Sequence, residues 1–324
     1  MHRAVRAAFA ALAVTAIPLC ALAYPDKPIT LVIPFSAGGD ADLAGRNLAQ
    51  AAQTVLKQPL VPVNRVGASG AIGSQVVKDA APDGHTLLVA RVGSNAVLPA
   101  LKKDTPYKWN DFTFLGLLEL NPMVCVVHPD SPHKTLVDLG RAIKAQPGKM
   151  NYSSSGIGTI LHLGSQLLLQ AFGVGPDGAV HVAYKGGSEA ALAVVTKDVD
   201  FSCGNLTSAI GLIKGSKLRA IVTTTPERLA DVPDVPTARE AGVPQMEAIV
   251  GWSALYGPPK MAPTLVARWA EVLQRVAKDP NWLRGEEKIG SIPRVLGPAE
   301  TEKFVESQFR VYQELGQKLG IELK

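Results

Sequence analysis

Long apolar runs are nearly absent from this chain of 324 residues. The exception opens it: in "MHRAVRAAFAALAVTAIPLCALA", Arg3 and Arg6 precede an apolar stretch closing on Ala21-Leu22-Ala23. That stretch is short for a membrane span and has the layout of a secretory signal with an A-x-A-like cleavage site. Residues 1–23 therefore read as a signal peptide that is removed, placing the mature chain, "YPDKPIT" onward, in the periplasm. Leu19 before Cys20 argues against a lipoprotein, and no later segment is long and apolar enough to span a bilayer. Cysteine is scarce. Of three, only Cys125 and Cys203 follow the signal, in the strand-like runs "MVCVV" and "DFSCG". An oxidising compartment permits their pairing, but two buried free thiols are expected. No Cys/His cluster has metal-ligand spacing, so no metal is expected. Aromatics are only 6% of residues and Lys/Arg are nowhere dense, which argues against a nucleic-acid partner. Losing Arg3 and Arg6 takes the formal charge from +5 to +3.

Catalytic signatures are missing too. There is no G-x-S-x-G and no phosphate loop. "GIGTILHLG" fails the dinucleotide pattern because Leu161 stands where the third glycine is needed, and Gly67, Gly70 and Gly73 of "GASGAIG" are wrongly spaced. "SPHK", Ser131 to Lys134, matches S-x-x-K only formally, in a proline-containing loop. His85, His128, His133, His162 and His181 are scattered without a nucleophile partner. Neither an enzyme nor a cofactor is expected.

What is present is an alternation of strands and helices. "ITLVIPF", "LVPVNRV" and "HTLLVARVGS" read as strands. Between them, Ala44, Leu48, Ala51 and Val55 mark one helix face, and Ile72, Val76 and Ala80 another, stopped by Pro82-Asp83-Gly84. After "FTFLGLLELNPMVCVVHPDSP" the pattern restarts: a helix on Leu136, Leu139 and Ile143, the strand "KMNYSSSG", and a helix on Ile160, Leu163, Leu167 and Ala171. "AVHVAYKGG", "VDFSCGN", "KLRAIVTTT" and "AIVGWSALYGPP" continue as strands, and the tail from Pro263 to Gly320 reads as helices. This alternation predicts an α/β protein with parallel sheets. The roughly 300 residues after the signal suffice for two lobes. We place lobe 1 at residues 24–123, lobe 2 at 124–248, and a return to lobe 1 with C-terminal helices at 249–324.

Ligands of open α/β sheets sit beyond the carboxyl ends of the strands. "PFSAGGDAD", "ARVGSNA" and "YSSSGIGT" are turns of that kind, the first two in lobe 1 and the third in lobe 2. Facing each other across a cleft, they would hold a small ligand as a hinge-closing receptor does. Hydroxyls and backbone N–H groups at a helix start can hold a carboxylate without a cation, although Ser and Thr also favour that position as plain caps.

Six segments occur in order: "YPDKPITLVIPFSAGGDADLAGR", "NRVGASGAIGSQVVKDAAPDGHTLLV", "NYSSSGIGTILHLGSQLL", "HVAYKGGSEA", "GNLTSAIGLIKGSKLRAIVTT" and "PDVPTAREAGVP". Together they resemble the Bug-type substrate-binding receptors of tripartite tricarboxylate transporters. The resemblance implies a two-lobed, type II periplasmic-binding fold. It further implies capture of a small organic acid and its delivery to membrane permease subunits; the receptor itself is expected to be a monomer. A ligand carboxylate would lie between Phe35, Ser36, Gly38, Gly39 and Ala41 on one side and Ser153, Ser154, Ser155, Gly156, Gly158 and Thr159 on the other. Tyr184 and Asn205 complete the candidate site.

Departures from the family pattern bear on the ligand. Asp42 matches the family's acid and suits a helix's first turn, whereas Asp40 is unusual and is either a solvated turn aspartate pointing away from the cleft or a cleft residue. Gly204 stands where an aspartate is frequent, Ala71 where an asparagine is, and Arg91 where a small or hydroxyl residue is. Arg91 in the cleft, paired with Asp40, would suit a dicarboxylate; otherwise it snorkels to the surface. Two other readings stay open: a receptor that presents its ligand to a membrane sensor protein, and a secreted hydrolase using one of Ser153–Ser155.

Overall fold

The computed structural model describes residues 24–320. The signal-peptide reading of residues 1–23 lies outside the described residues.

The first sheet begins with β1 (Ile29–Ile33), β2 (Leu60–Asn64) and β3 (Thr86–Arg91) and continues with β4 (Thr113–Asn121). The chain then passes through Pro122 into a second sheet of β5 (Met123–Val127), β6 (Asn151–Ser154), β7 (Val180–Ala183), β8 (Phe201–Asn205) and β9 (Arg219–Thr223). It returns to the first sheet as β10 (Gly251–Gly257) and β11 (Ile292–Leu296). The strand orders are β11-β4-β10-β3-β1-β2 and β7-β6-β8-β5-β9.

Both sheets are mixed, which corrects the expectation of parallel ones. β1 runs parallel to β2 and β3, but β10 is antiparallel to β3 and β4. β6 runs parallel to β7 and β8, but β5 is antiparallel to β8 and β9. The antiparallel strands include those on either side of the lobe crossings. Neither β5 nor β10 is joined to a neighbour in its sheet by the crossover helix that parallel pairing requires, and both run antiparallel to their neighbours.

The helices follow the strands. In lobe 1, α1 (Asp40–Leu56) and α2 (Ala71–Lys78) follow β1 and β2, and a short α3 (Leu98–Leu101) follows β3. In lobe 2, α4 (Leu136–Ala145), α5 (Ile160–Ala171), α6 (Gly187–Val195) and α7 (Leu206–Lys214) separate the strands. The tail supplies α8 (Pro263–Val276), α9 (Pro280–Lys288) and α10 (Pro298–Leu319). Trp269 and Trp282 from α8 and α9 bury against Leu48 of α1 and Leu31 of β1, so the tail closes the first lobe. A second core runs through both lobes, from Ala90 and Leu117 through Trp252 to Leu163 and Phe201.

Two local expectations change. Ile72 and Val76 are 50% and 43% exposed; α2 instead buries Ala71, Gly73, Ser74 and Val77. Gly73 explains the rotation. A β-carbon there would stand 2.7 Å from the Arg65 carbonyl and 2.9 Å from the Pro34 α-carbon, so this face lies directly against backbone. Cys125 and Cys203 form a disulfide rather than two free thiols. They are directly opposed in the β5–β8 register, a proximity that strand pairing creates and sequence separation hides.

Candidate functional site

The two outer turns meet face to face. "PFSAGG" leads from β1 into α1, and Gly38 adopts φ +75°, which favours glycine. Asp42 then folds back on this turn: its Oδ2 accepts the Gly38 N–H at 3.0 Å and the Arg46 Nε at 2.9 Å, while Oδ1 accepts Asn64 Nδ2 at 3.0 Å. Burial pushes the Asp42 carboxyl up, but the bonds from Arg46, Gly38 and Asn64 outweigh it and hold it below its usual value. Asp42 thus serves the turn and the helix.

The second-lobe turn runs from β6 into α5. Ser154 Oγ accepts the Gly156 N–H at 3.1 Å and lies 2.6 Å from His181 Nε2. Gly156, at φ +123°, passes so close to Ser69 of lobe 1 that a β-carbon would stand 2.5 Å from its hydroxyl. Ser69 Oγ donates to the Ile157 carbonyl at 2.6 Å across this contact. On the other rim, Ser36 N–H donates to the Lys185 carbonyl and Ser188 Oγ to the Ala37 carbonyl, each at 3.3 Å.

Between these rims lies a cavity of about 10 Å³, room for roughly one water centre. Its wall holds Phe35, Asp40 and Arg91 from lobe 1 and Ser155, Thr159 and Asn205 from lobe 2. Arg91 enters the cleft and does not snorkel; it is 2% exposed and forms an ion pair with Asp40. Asn205 donates to the same Asp40 oxygen, and the Asp40 N–H donates to Ser208 Oγ at 3.3 Å, so Asp40 bridges the lobes.

The other expected residues are placed differently. Ser153 Oγ donates to the Ala190 carbonyl of α6 at 2.7 Å and is fully buried in lobe 2. Ala41 turns its methyl into the first-lobe core, and Tyr184 packs on the second-lobe core. Gly39 starts α1 within reach of α6, 3.6 Å from the Gly187 nitrogen to an ideal β-carbon. Gly158, at φ +74°, sets the last bend before Thr159, whose Oγ1 donates to the Gly156 carbonyl at 2.8 Å.

Behind Arg91 stands a group that the sequence reading did not include. Glu119 of β4 is fully buried, ion-paired to Arg91 at 3.4 Å and bonded to Ser253 of β10. Burial pushes its carboxyl up, but Glu286, Arg91, Ser253 and Ser291 together pull it below its usual value. Glu286 is the reverse case: burial first, then the adjacent Glu119 charge, drive its carboxyl far up. Among the described residues Glu119 Oε2 and Glu286 Oε2 have no other hydrogen-bond partner, and a proton kept on Glu286 satisfies both. A lone acid within the apolar run "FTFLGLLELN" was the available signal, since a buried carboxylate needs a cation or a proton.

The two helix ends facing the cleft differ. α1 carries Asp40 and Asp42 in its first turn, which offset the positive end of its dipole. α5 has no acid in its first turn and no side-chain cap, and its residues Ile160 and Leu161 line the cavity. The α5 end is therefore the one equipped to receive an anion.

A family model described as the tripartite tricarboxylate transporter family receptor matches residues 44–321. Among solved structures, the periplasmic binding protein BugD is similar at 29% identity and a TM-score of 0.87, over 93% of this chain and 100% of that one. MatC from Rhodopseudomonas palustris, with bound malate, is similar at 27% identity and a TM-score of 0.85, over 90% and 99% of the two chains. Another R. palustris protein, solved with adipate, gives 25% identity and a TM-score of 0.87 over 92% and 99%.

Proposed function

The chain belongs to the tripartite tricarboxylate transporter receptor family, whose members are binding proteins and not enzymes, and from that premise we propose that it captures a small organic carboxylate between its lobes. It does so in the periplasm, after removal of the signal, as a monomer, and delivers the acid to a membrane permease of the tripartite tricarboxylate type. The observation that carries this reading is the meeting of two glycine-shaped turns from different sheets over the uncapped start of α5. The wall offers backbone N–H groups and hydroxyls but no assembled nucleophile. His181 touches Ser154, yet Ser154 is buried and already bonded within its own turn, away from the cavity wall. The malate and adipate held by two similar proteins support a small carboxylate as the ligand class.

A cavity of about 10 Å³ does not admit an organic acid, so the lobes must part and close again about the Pro122 and Thr224–Ile249 crossings. A ligand that binds only the folded protein raises its melting temperature. A thermal-shift screen of small mono- and dicarboxylates and amino acids tests the proposal. At least one acid should raise the melting point in a saturable way, and uptake of that acid should stop when the receptor gene is deleted. A screen in which no acid shifts the melting point overturns the ligand class. Uptake that persists without the receptor overturns the transport role.

A further inference from the structure

Arg91 was the reason to expect a dicarboxylate, and the structure shows its charge already engaged. One guanidinium stands between two carboxylates, Asp40 and Glu119, so the three groups together carry one net negative charge. Glu286 adds none while it keeps its proton, and among the described residues Asp40 and Arg91 are the only charged ones in the cavity wall. Both side-chain hydrogen bonds to Asp40 fall on Oδ2, while Oδ1 lies toward the start of α6, 3.4 Å from an ideal β-carbon on Gly187. From this end the cleft offers an anionic acceptor. Across the cavity α5 offers the N–H groups of an uncapped first turn that carries no acid of its own. The cleft is thus polar along its length, positive at α5 and negative at α1.

We infer that the cleft selects a carboxylate that also carries an ammonium group, an amino acid in the broad sense, over a dicarboxylate of the same length. The carboxylate lies against α5 and the ammonium against Asp40. The inference rests on the carboxylate-receptor reading above and deepens it. A second carboxylate placed at Asp40 would face a like charge in a desolvated site, whereas an ammonium there meets an opposite one. Arg91 then acts as the positioning residue that holds Asp40 in place, and Glu119 sets how much of the Arg91 charge remains.

Calorimetric titration of the mature protein with a homologous series of dicarboxylates, and with the α- and ω-amino acids of the same lengths, tests this. The best amino acid should bind at least about tenfold more tightly than its dicarboxylate counterpart, a difference of about 1.4 kcal/mol. Asp40→Asn should abolish or invert that preference. Glu119→Gln, which does not reach the cavity, should shift it in the same direction by freeing the Arg91 charge. A parent protein that prefers the dicarboxylates overturns the inference and leaves the receptor function standing. A preference that both variants leave unchanged overturns it too, as does Asp40→Asn raising the affinity for every acid equally, which would make Asp40 a competing internal occupant. If no acid of any class binds, it is the receptor function that fails. The comparison within the parent protein needs no variant to fold.

Discussion

A carboxyl group buried beside another carboxylate keeps its proton, and Glu286 is such a group. It is 1% exposed, and Asn47 Nδ2 donates to its Oε1 at 2.6 Å. Its folded pKa is raised, by burial first and by Glu119 second, above the ordinary 4.5. A raised value means that its contribution to stability is fully present below 4.5 and is lost as pH climbs toward the folded value. Glu286→Gln keeps an acceptor for Asn47 and a donor for Glu119 without a titratable proton. The variant should therefore melt above the parent protein at neutral pH, with a gap that widens on the alkaline side and closes toward pH 4.5. Melting curves that run parallel across this range would show that Glu286 does not hold the proton. At this scale the sequence was partly legible. Asp40 and Arg91 could be paired in advance because Arg91 ends one strand and Asp40 closes the turn that follows another, and those strands proved to be neighbours. Glu119 was not legible as Arg91's second partner, because it reaches Arg91 through β10, a strand that joins the sheet over 130 residues later. Nor did the serine-rich turn reveal which hydroxyls face outward: Ser153 points back into its lobe toward α6, and Ser155 lines the cleft.

Among the elements, the helices were read more reliably than the sheets. Leu136, Leu139 and Ile143 are buried as their spacing required, and Thr135 with Asp138 forms a capping box ahead of them. Spacing finds an amphipathic face, however, and does not say what covers it; Ile72 and Val76 kept the period and face solvent. β11 went unread because "IPRVL" is short, half-exposed and set between helices at the sheet edge. Strand direction was also hidden, since it depends on where the chain changes lobes. The same pairing joins Cys125 to Cys203 across 78 residues, closing a loop that holds β6, β7 and three helices. Cross-linking a loop of that size removes unfolded-state entropy, commonly worth about 2–5 kcal/mol. Replacing both cysteines with alanine should lower the urea-unfolding free energy by about that amount, with ligand affinity unchanged because neither cysteine lines the cleft. Equal stability of the two forms would show that the bond contributes nothing to this fold.

For the molecule as a whole, the order of motifs along the chain carried more information than any one of them. Each glycine-rich turn alone reads as a capped helix start. Two of them, at the ends of strands in separate sheets, imply a cleft. The chain crosses between the lobes at Pro122 and again between β9 and β10, and Trp269 and Trp282 of the tail pack into the core of the first lobe. Under the proposed function closure is the working step, so binding should depend on how closely the lobes can approach. Gly93, just past β3, is a point of contact: an ideal β-carbon there would lie 3.4 Å from the Thr159 α-carbon across the cleft. Gly93→Val adds methyl groups where only a β-carbon fits, without demanding a left-handed backbone. The most direct test of the account is a calorimetric titration of the parent protein and Gly93→Val with the best acid from the thermal-shift screen. The account predicts one acid bound per parent chain, and binding lost from a variant whose circular dichroism and unliganded melting point are unchanged. Equal affinity in the two proteins would contradict it, because the acid would then be held somewhere other than between the closing lobes.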